Sequence, residues 1–149
     1  MKSLKKNLDK LNNLLINNYE VEKIYLEALE LAMNKDLKAF FRERGFERNE
    51  FGRQLRQEII KLNGTPKQLG SLSDYYYRIS NIFKELIISD NQEGLFEAIY
   101  GLKEASIYLY NNLLEEINLP LSTCKILVKQ RDSIYSNMNA MKREEEFVV

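Results

Sequence analysis

The chain has 149 residues, and 22 Lys and Arg balance 22 Asp and Glu, so its formal charge is zero. With no His and a single Cys, it excludes Ser-His-Asp and Cys-His catalysis, His-ligated zinc, an imidazole pH switch and an internal disulfide framework. The charge balance speaks against a dedicated nucleic-acid binder, and no apolar run approaches the roughly 18–20 residues of a membrane span.

The first helix is expected from about Ser3 to Met33. Leu4, Leu8, Leu11, Leu15, Tyr25, Leu29 and Ala32 recur at three- and four-residue steps and form one apolar stripe. Asn18 and Glu22 interrupt it. The N-terminal residues therefore read as the first turns of an amphipathic helix rather than a signal peptide, which implies a cytoplasmic protein. Asn34-Lys35-Asp36 is a short turn.

The second helix is expected from about Asp36, as its N-cap, to Leu62. Its stripe is Leu37, Phe41, Phe51, Leu55, Ile59 and Leu62, with Arg44 and Arg48 on the same face. Asn63-Gly64-Thr65-Pro66 stops it, with Gly64 as the residue suited to positive φ. A shorter helix, about Asp74 to Ser89, lies within the following connection. Asp90 and Glu93 have the spacing of a capping box for a third long helix ending near Asn118. Its seam is Leu95, Ile99, Leu102, Ser106, Leu109 and Leu113. After Leu119-Pro120 a fourth long helix runs from about Thr123 to Lys142, with Leu127, Ile134, Met138 and Met141 inward. Residues 143–149 are read as a frayed tail of one domain spanning 1–149.

Short turns make the first two long helices antiparallel, and likewise the last two. A helix of about 25 residues is roughly 38 Å long at about 1.5 Å per residue. The middle connection is long enough to retrace that length, so the second and third long helices can run parallel. The fold class is therefore all-α: a ferritin-like four-helix bundle whose long crossover carries a short fifth helix. Residues 35–68 hold nine basic and five acidic groups, whereas residues 69–118 hold three and eight. Such faces are either simply solvated or complementary across a contact, within the bundle or between subunits.

Polar residues on the apolar seams are the candidates for chemistry. Glu22, Arg44, Arg48, Glu104, Tyr110 and Gln130 fall near one level, and a buried charge must be paired. A Glu22–Arg48–Glu104 network with Tyr110 beside it is the expectation, as a polar layer that fixes helix register. The competing reading is a carboxylate site for iron or manganese built from Glu22, Glu47, Glu50 and Glu104. That reading lacks the usual His ligands, and Arg44 and Arg48 would repel a dication. Cys124, in the first turn of the last helix, has no resolving Cys or base nearby. Tyr75-Tyr76-Tyr77 are expected to cover the bundle side, with at least one facing solvent or a partner. The six Gly show no phosphate-loop spacing.

The chain also resembles a bacterial domain-of-unknown-function family of ferritin-like four-helix bundles, related to stress-associated bundles. The residues that carry the resemblance are Leu11-Asn12, Leu14, Glu22 and Tyr25 in the first helix. In the second they are Leu37-Lys38-Ala39, Phe41, Glu43-Arg44, Arg48 and Phe51, followed by Leu62-Asn63-Gly64-Thr65-Pro66. Glu104-Ala105, Tyr110 and Leu119-Pro120 continue it. In the last helix the family pattern looks like Gln-x3-Ile/Val-x3-His-Asp, and here it is Gln130, Ile134, Met138 and Asn139. The replaced His-Asp pair removes any metal or proton relay of that design. The resemblance implies the fold and assigns no reaction. Three functions follow as expectations: a non-enzymatic structural or interaction bundle that forms a homo-oligomer with no cofactor, an iron- or manganese-binding bundle, or a module holding a small apolar ligand beneath the crossover helix.

Overall fold

A computed structural model describes the backbone of residues 2–148 and the side chains of residues 3–138. Five helices follow one another: α1 (Lys2–Leu31), α2 (Lys35–Lys61), α3 (Asp74–Ile88), α4 (Gln92–Leu114) and α5 (Leu121–Val148). Among the described residues there is no strand, and no helix is long and apolar enough to cross a membrane.

Side-chain pairs fix the directions. Tyr25 stacks on Phe41, while Asn18 meets Arg48 farther along, so α1 and α2 are antiparallel. Lys10 reaches Asn112 and Asn17 reaches Ser106, so α1 and α4 are antiparallel and α2 runs parallel to α4. Thr123 bonds Glu58 and Ser133 bonds Glu47, which sets α5 antiparallel to α2. This is the ferritin-like arrangement, with α3 carrying the chain back along the bundle.

The crossover is held by polar groups on α1. Asn12 donates to the Thr65 carbonyl at 3.1 Å and accepts from the Lys67 amide at 2.8 Å. Glu20 accepts from the amide and hydroxyl of Ser73, the N-cap of α3. Glu27 accepts from Ser80 and pairs with Lys84 at 2.9 Å. Asn12 and Glu20 thereby satisfy the backbone amides of Lys67 and Ser73, and Glu27 ties the crossover helix to α1 through side chains.

The helix ends differ from the sequence expectation in instructive ways. Asn34, not Asp36, caps α2, accepting from the amides of Asp36 and Leu37. Asn91, not Asp90, caps α4 through the Gly94 amide. Asp90 has φ 54° and Asn63 has φ 64°. Each is the left-handed residue of a Schellman turn, with amide bonds Gly64 to Ile59 and Asn91 to Leu86 closing the helix ends. Gly64 is thus not the positive-φ residue. A Cβ there would lie 2.5 Å from Leu8 Cδ2, so the Leu8 side chain would have to move aside. Helix α4 stops at Leu114 rather than near Asn118. Helix α5 begins at Leu121 and continues past Lys142 to Val148, through the segment expected to fray. The inward placement of Met141 lies outside the described side chains.

The core forms two apolar clusters. One joins Leu11, Leu14 and Leu15 of α1 to Leu55 and Ile59 of α2, Leu113 of α4, and Leu127 and Ile134 of α5. The other joins Ile24, Tyr25 and Ala28 to Phe41, Phe83, Leu95 and Ile99. Leu55 is fully buried. Leu55→Ala is expected to cost about 2–5 kcal/mol by chemical denaturation. Asn34→Ala is expected to cost only about 1 kcal/mol, as a cap at an exposed helix end.

Candidate functional site

Between the two apolar clusters lies a polar layer, and every helix contributes to it. Arg48 of α2 is 2% exposed, and its Nη1 donates to Asn18 Oδ1 and Ser106 Oγ, both at 3.0 Å. Ser106 Oγ donates to Asn17 Oδ1 at 2.9 Å, and Asn17 Nδ2 donates to Tyr76 Oη of α3 at 2.6 Å. Asn18 Nδ2 donates to Tyr110 Oη at 3.2 Å, which donates to Gln130 Oε1 at 2.6 Å. Gln130 Nε2 closes the chain on Gln54 Oε1 at 2.9 Å and the Phe51 carbonyl at 3.3 Å. Burial pushes the Tyr110 hydroxyl up to about 12, against the lowering effect of Arg48. Tyr110 therefore stays a neutral donor in this network.

The layer's electrostatics are cationic. Lys103 of α4 is buried, with its ammonium 5.4 Å from the centre of the Phe40 ring. Burial, then Arg44 and Arg48, push its pKa down to about 7. Arg44 is half-buried and faces Glu47 at 3.5 Å. Glu47 accepts from Ser133 Oγ at 2.9 Å and Asn137 Nδ2 at 3.0 Å.

The expected Glu22–Arg48–Glu104 network does not form. Glu22 is half-buried and accepts from Asn49 at 3.0 Å, and burial raises its pKa. Glu104 is exposed, because the α4 rotation that buries Lys103 turns its neighbour outward. Arg48, Tyr110 and Gln130 do share the layer, whereas Arg44 pairs with Glu47 instead. Glu50 is exposed and pairs with Arg53 at 2.7 Å. The four carboxylates considered for iron or manganese are thus dispersed. Among the described residues no group of three His, Cys, Asp or Glu could hold a metal ion. The Arg48 guanidinium occupies the middle of the layer, and these carboxylates do not converge on it.

Several functional positions escape a sequence reading. Asn17, Lys103 and the buried Glu58, which accepts from Thr123 at 3.0 Å, had no place in the seams. Cys124 is half-buried against the core around Leu127. Tyr76 joins the polar layer, while Tyr75 and Tyr77 are exposed. An open groove of about 400 Å³ lies between α3 and α4, walled by Ile79, Ile82, Gly101 and Ala105.

A family model described as "Domain of unknown function (DUF2383)" matches residues 6–116, and the chain belongs to that family. No curated protein sequence matches the chain significantly. Among solved structures, the chain is similar to the bacterioferritin-related protein of Bacteroides fragilis, described as a dodecameric thioferritin. The TM-score is 0.74 at 16% identity, over 97% of this chain and 87% of that one. At that identity the likeness establishes the ferritin-like fold alone.

Two measurements test the layer. Tyr110→Phe leaves Gln130 and Asn18 without their shared partner, and a loss of about 1–3 kcal/mol is expected by chemical denaturation. For Lys103 the folded pKa, about 7, lies below the ordinary 10.5, so the unfolded chain binds the extra proton between these values. Stability should therefore rise with pH from about 7 toward 10, and it should fall above 10 as the unfolded tyrosines ionise. Lys103→Met should be more stable at pH 7 and flatten the rise between pH 7 and 10. Parallel pH profiles for the two proteins would contradict this.

Proposed function

We propose that this DUF2383 chain is a non-enzymatic structural or protein-interaction bundle that self-associates. The observation that carries the reading is Arg48. It occupies the bundle centre, bonded to Asn18 and Ser106, in the place where a metal-dependent bundle would gather carboxylates. Such a layer fixes the register of the helices.

Self-association draws support from the surface. Met33, Phe46, Ile88, Tyr108 and Ile117 are each at least two-thirds exposed, and a second copy of the chain would cover such side chains. The dodecamer named for the Bacteroides fragilis protein is a fold-level analogy in the same direction.

Elemental analysis after Fe(II) and Mn(II) titration tests the non-metal part. The expected result is less than stoichiometric metal. Stoichiometric metal lost in Glu22→Ala or Glu47→Ala would overturn it. Light scattering tests self-association: a defined multimer is expected, and a monomer at high concentration would contradict it.

A further inference from the structure

The groove between α3 and α4 has an apolar wall and a shallow floor. Helix α3 supplies the larger side chains, Ile79, Ile82 and Leu86, and α4 supplies Ala98, Gly101 and Ala105. Ile82 stays exposed although it is apolar. Gly101 lies in the middle of α4, where Gly weakens a helix relative to Ala. It has no positive φ, and a Cβ there would meet no atom within 4 Å. Among the described residues nothing crowds that position, so the room above it is open to a surface from outside the chain.

Carboxylates edge this groove. Glu97 lines it, and Glu93 and Glu104 share its exposed row on α4, four residues before and seven after. None of the three pairs with a described residue. Two such grooves face to face would set like charges together, which disfavours an isologous contact. The complement lies on α2. Lys35, Lys38 and Arg42 form one exposed row with Phe46, which is 70% exposed. These three cations also pair with no described residue. The acidic neighbours are already engaged, Glu43 with Arg44 and Glu50 with Arg53, so only Asp36 at the helix start offsets the row.

We propose that the α3–α4 groove receives the α2 face of a second copy of this chain, with Arg42 against Glu97 and Phe46 entering the groove. The spacing suits an antiparallel approach. Lys35 and Arg42 are seven residues apart, as are Glu97 and Glu104, which is about 10 Å along either helix. In that register Lys38 crosses at Gly101, where no side chain stands in the way, and Phe46 falls toward Gly94 and Leu86. Burial of Phe46 and the groove wall supplies the affinity, while the charge rows select the surface and its direction. Two different faces meet, so the contact runs head to tail and closes as a ring or continues as a filament. It rests on the reading that the chain self-associates and names the surface that does so.

Sedimentation of the full chain over a concentration series tests it, with circular dichroism to confirm that each variant keeps its helices. Glu97→Arg and Arg42→Glu should each weaken association at least about tenfold. The double variant, which exchanges the two charges, should regain most of that loss. Phe46→Ala and Gly101→Gln, both at exposed positions of the single chain, should weaken association by a similar factor. A double variant that stays as weak as the single ones would overturn the Arg42–Glu97 pairing. A multimer left unchanged by Glu97→Arg and Phe46→Ala would overturn the groove as the interface while self-association stands. A wild-type chain that remains monomeric at high concentration would overturn self-association itself and the groove contact with it.

Discussion

The guanidinium of Arg48 sits between two other helices and is satisfied there by neutral oxygens, Asn18 on α1 and Ser106 on α4. That interaction dictates much of the rest. A buried charge tolerates few positions, so sliding α2 by one turn would push the guanidinium into an apolar cluster, toward Leu55 in one direction or Phe41 in the other. The hydrogen-bonded chain through Asn17, Tyr76, Tyr110 and Gln130 extends the same constraint to α3 and α5. Apolar packing supplies the stabilising burial on both sides of the layer, but it is less particular about register. The polar layer selects one arrangement.

The same layer puts a guanidinium, and not converging carboxylates, at the middle of the bundle. Ferritin-like metal centres need carboxylates converging on the axis. Here the carboxylates turn aside: Glu47 to Arg44 and α5, Glu22 to Asn49, Glu20 and Glu27 to the crossover. The axis receives Arg48 and Lys103 instead. An even overall charge thus conceals two buried cations, Arg48 and Lys103, at the middle of the bundle and an acidic excess over residues 69–118. Shared fold and opposite central charge are compatible because packing reads shape and hydrophobicity, while chemistry reads the few polar positions.

The architecture was legible because its signals are periodic and redundant. Leu11, Leu15, Leu55, Ile59, Ile99 and Leu113 mark their helices several times over, and the long middle connection implies the crossover by length alone. Arg48, Tyr110 and Gln130 were legible as charged or polar residues on apolar stripes. Glu104 misled because it lies one position from the seam, and a rotation of about 100° per residue separates the core from solvent. Lys103, its neighbour, takes the inward place. Asn18 was legible only as an interruption of its stripe, and Asn17 not at all. Two adjacent Asn in mid-helix have poor helix propensity, and that was the available hint that their side chains are used. The caps shifted by one or two residues because Asn34 and Asn91 compete with nearby Asp for the same role.

The central claim is that Arg48 is locked in a polar layer by Asn18 and Ser106, with no carboxylate converging on the same point. Nitrogen-15 NMR of the arginine side chains, before and after Mn(II) addition, tests it most directly. The account predicts that the Arg48 guanidinium signals are protected from solvent exchange, show hindered rotation, and are not broadened by Mn(II). Arg48 signals exchanging like those of exposed Arg53, or quenched by stoichiometric Mn(II), would contradict it.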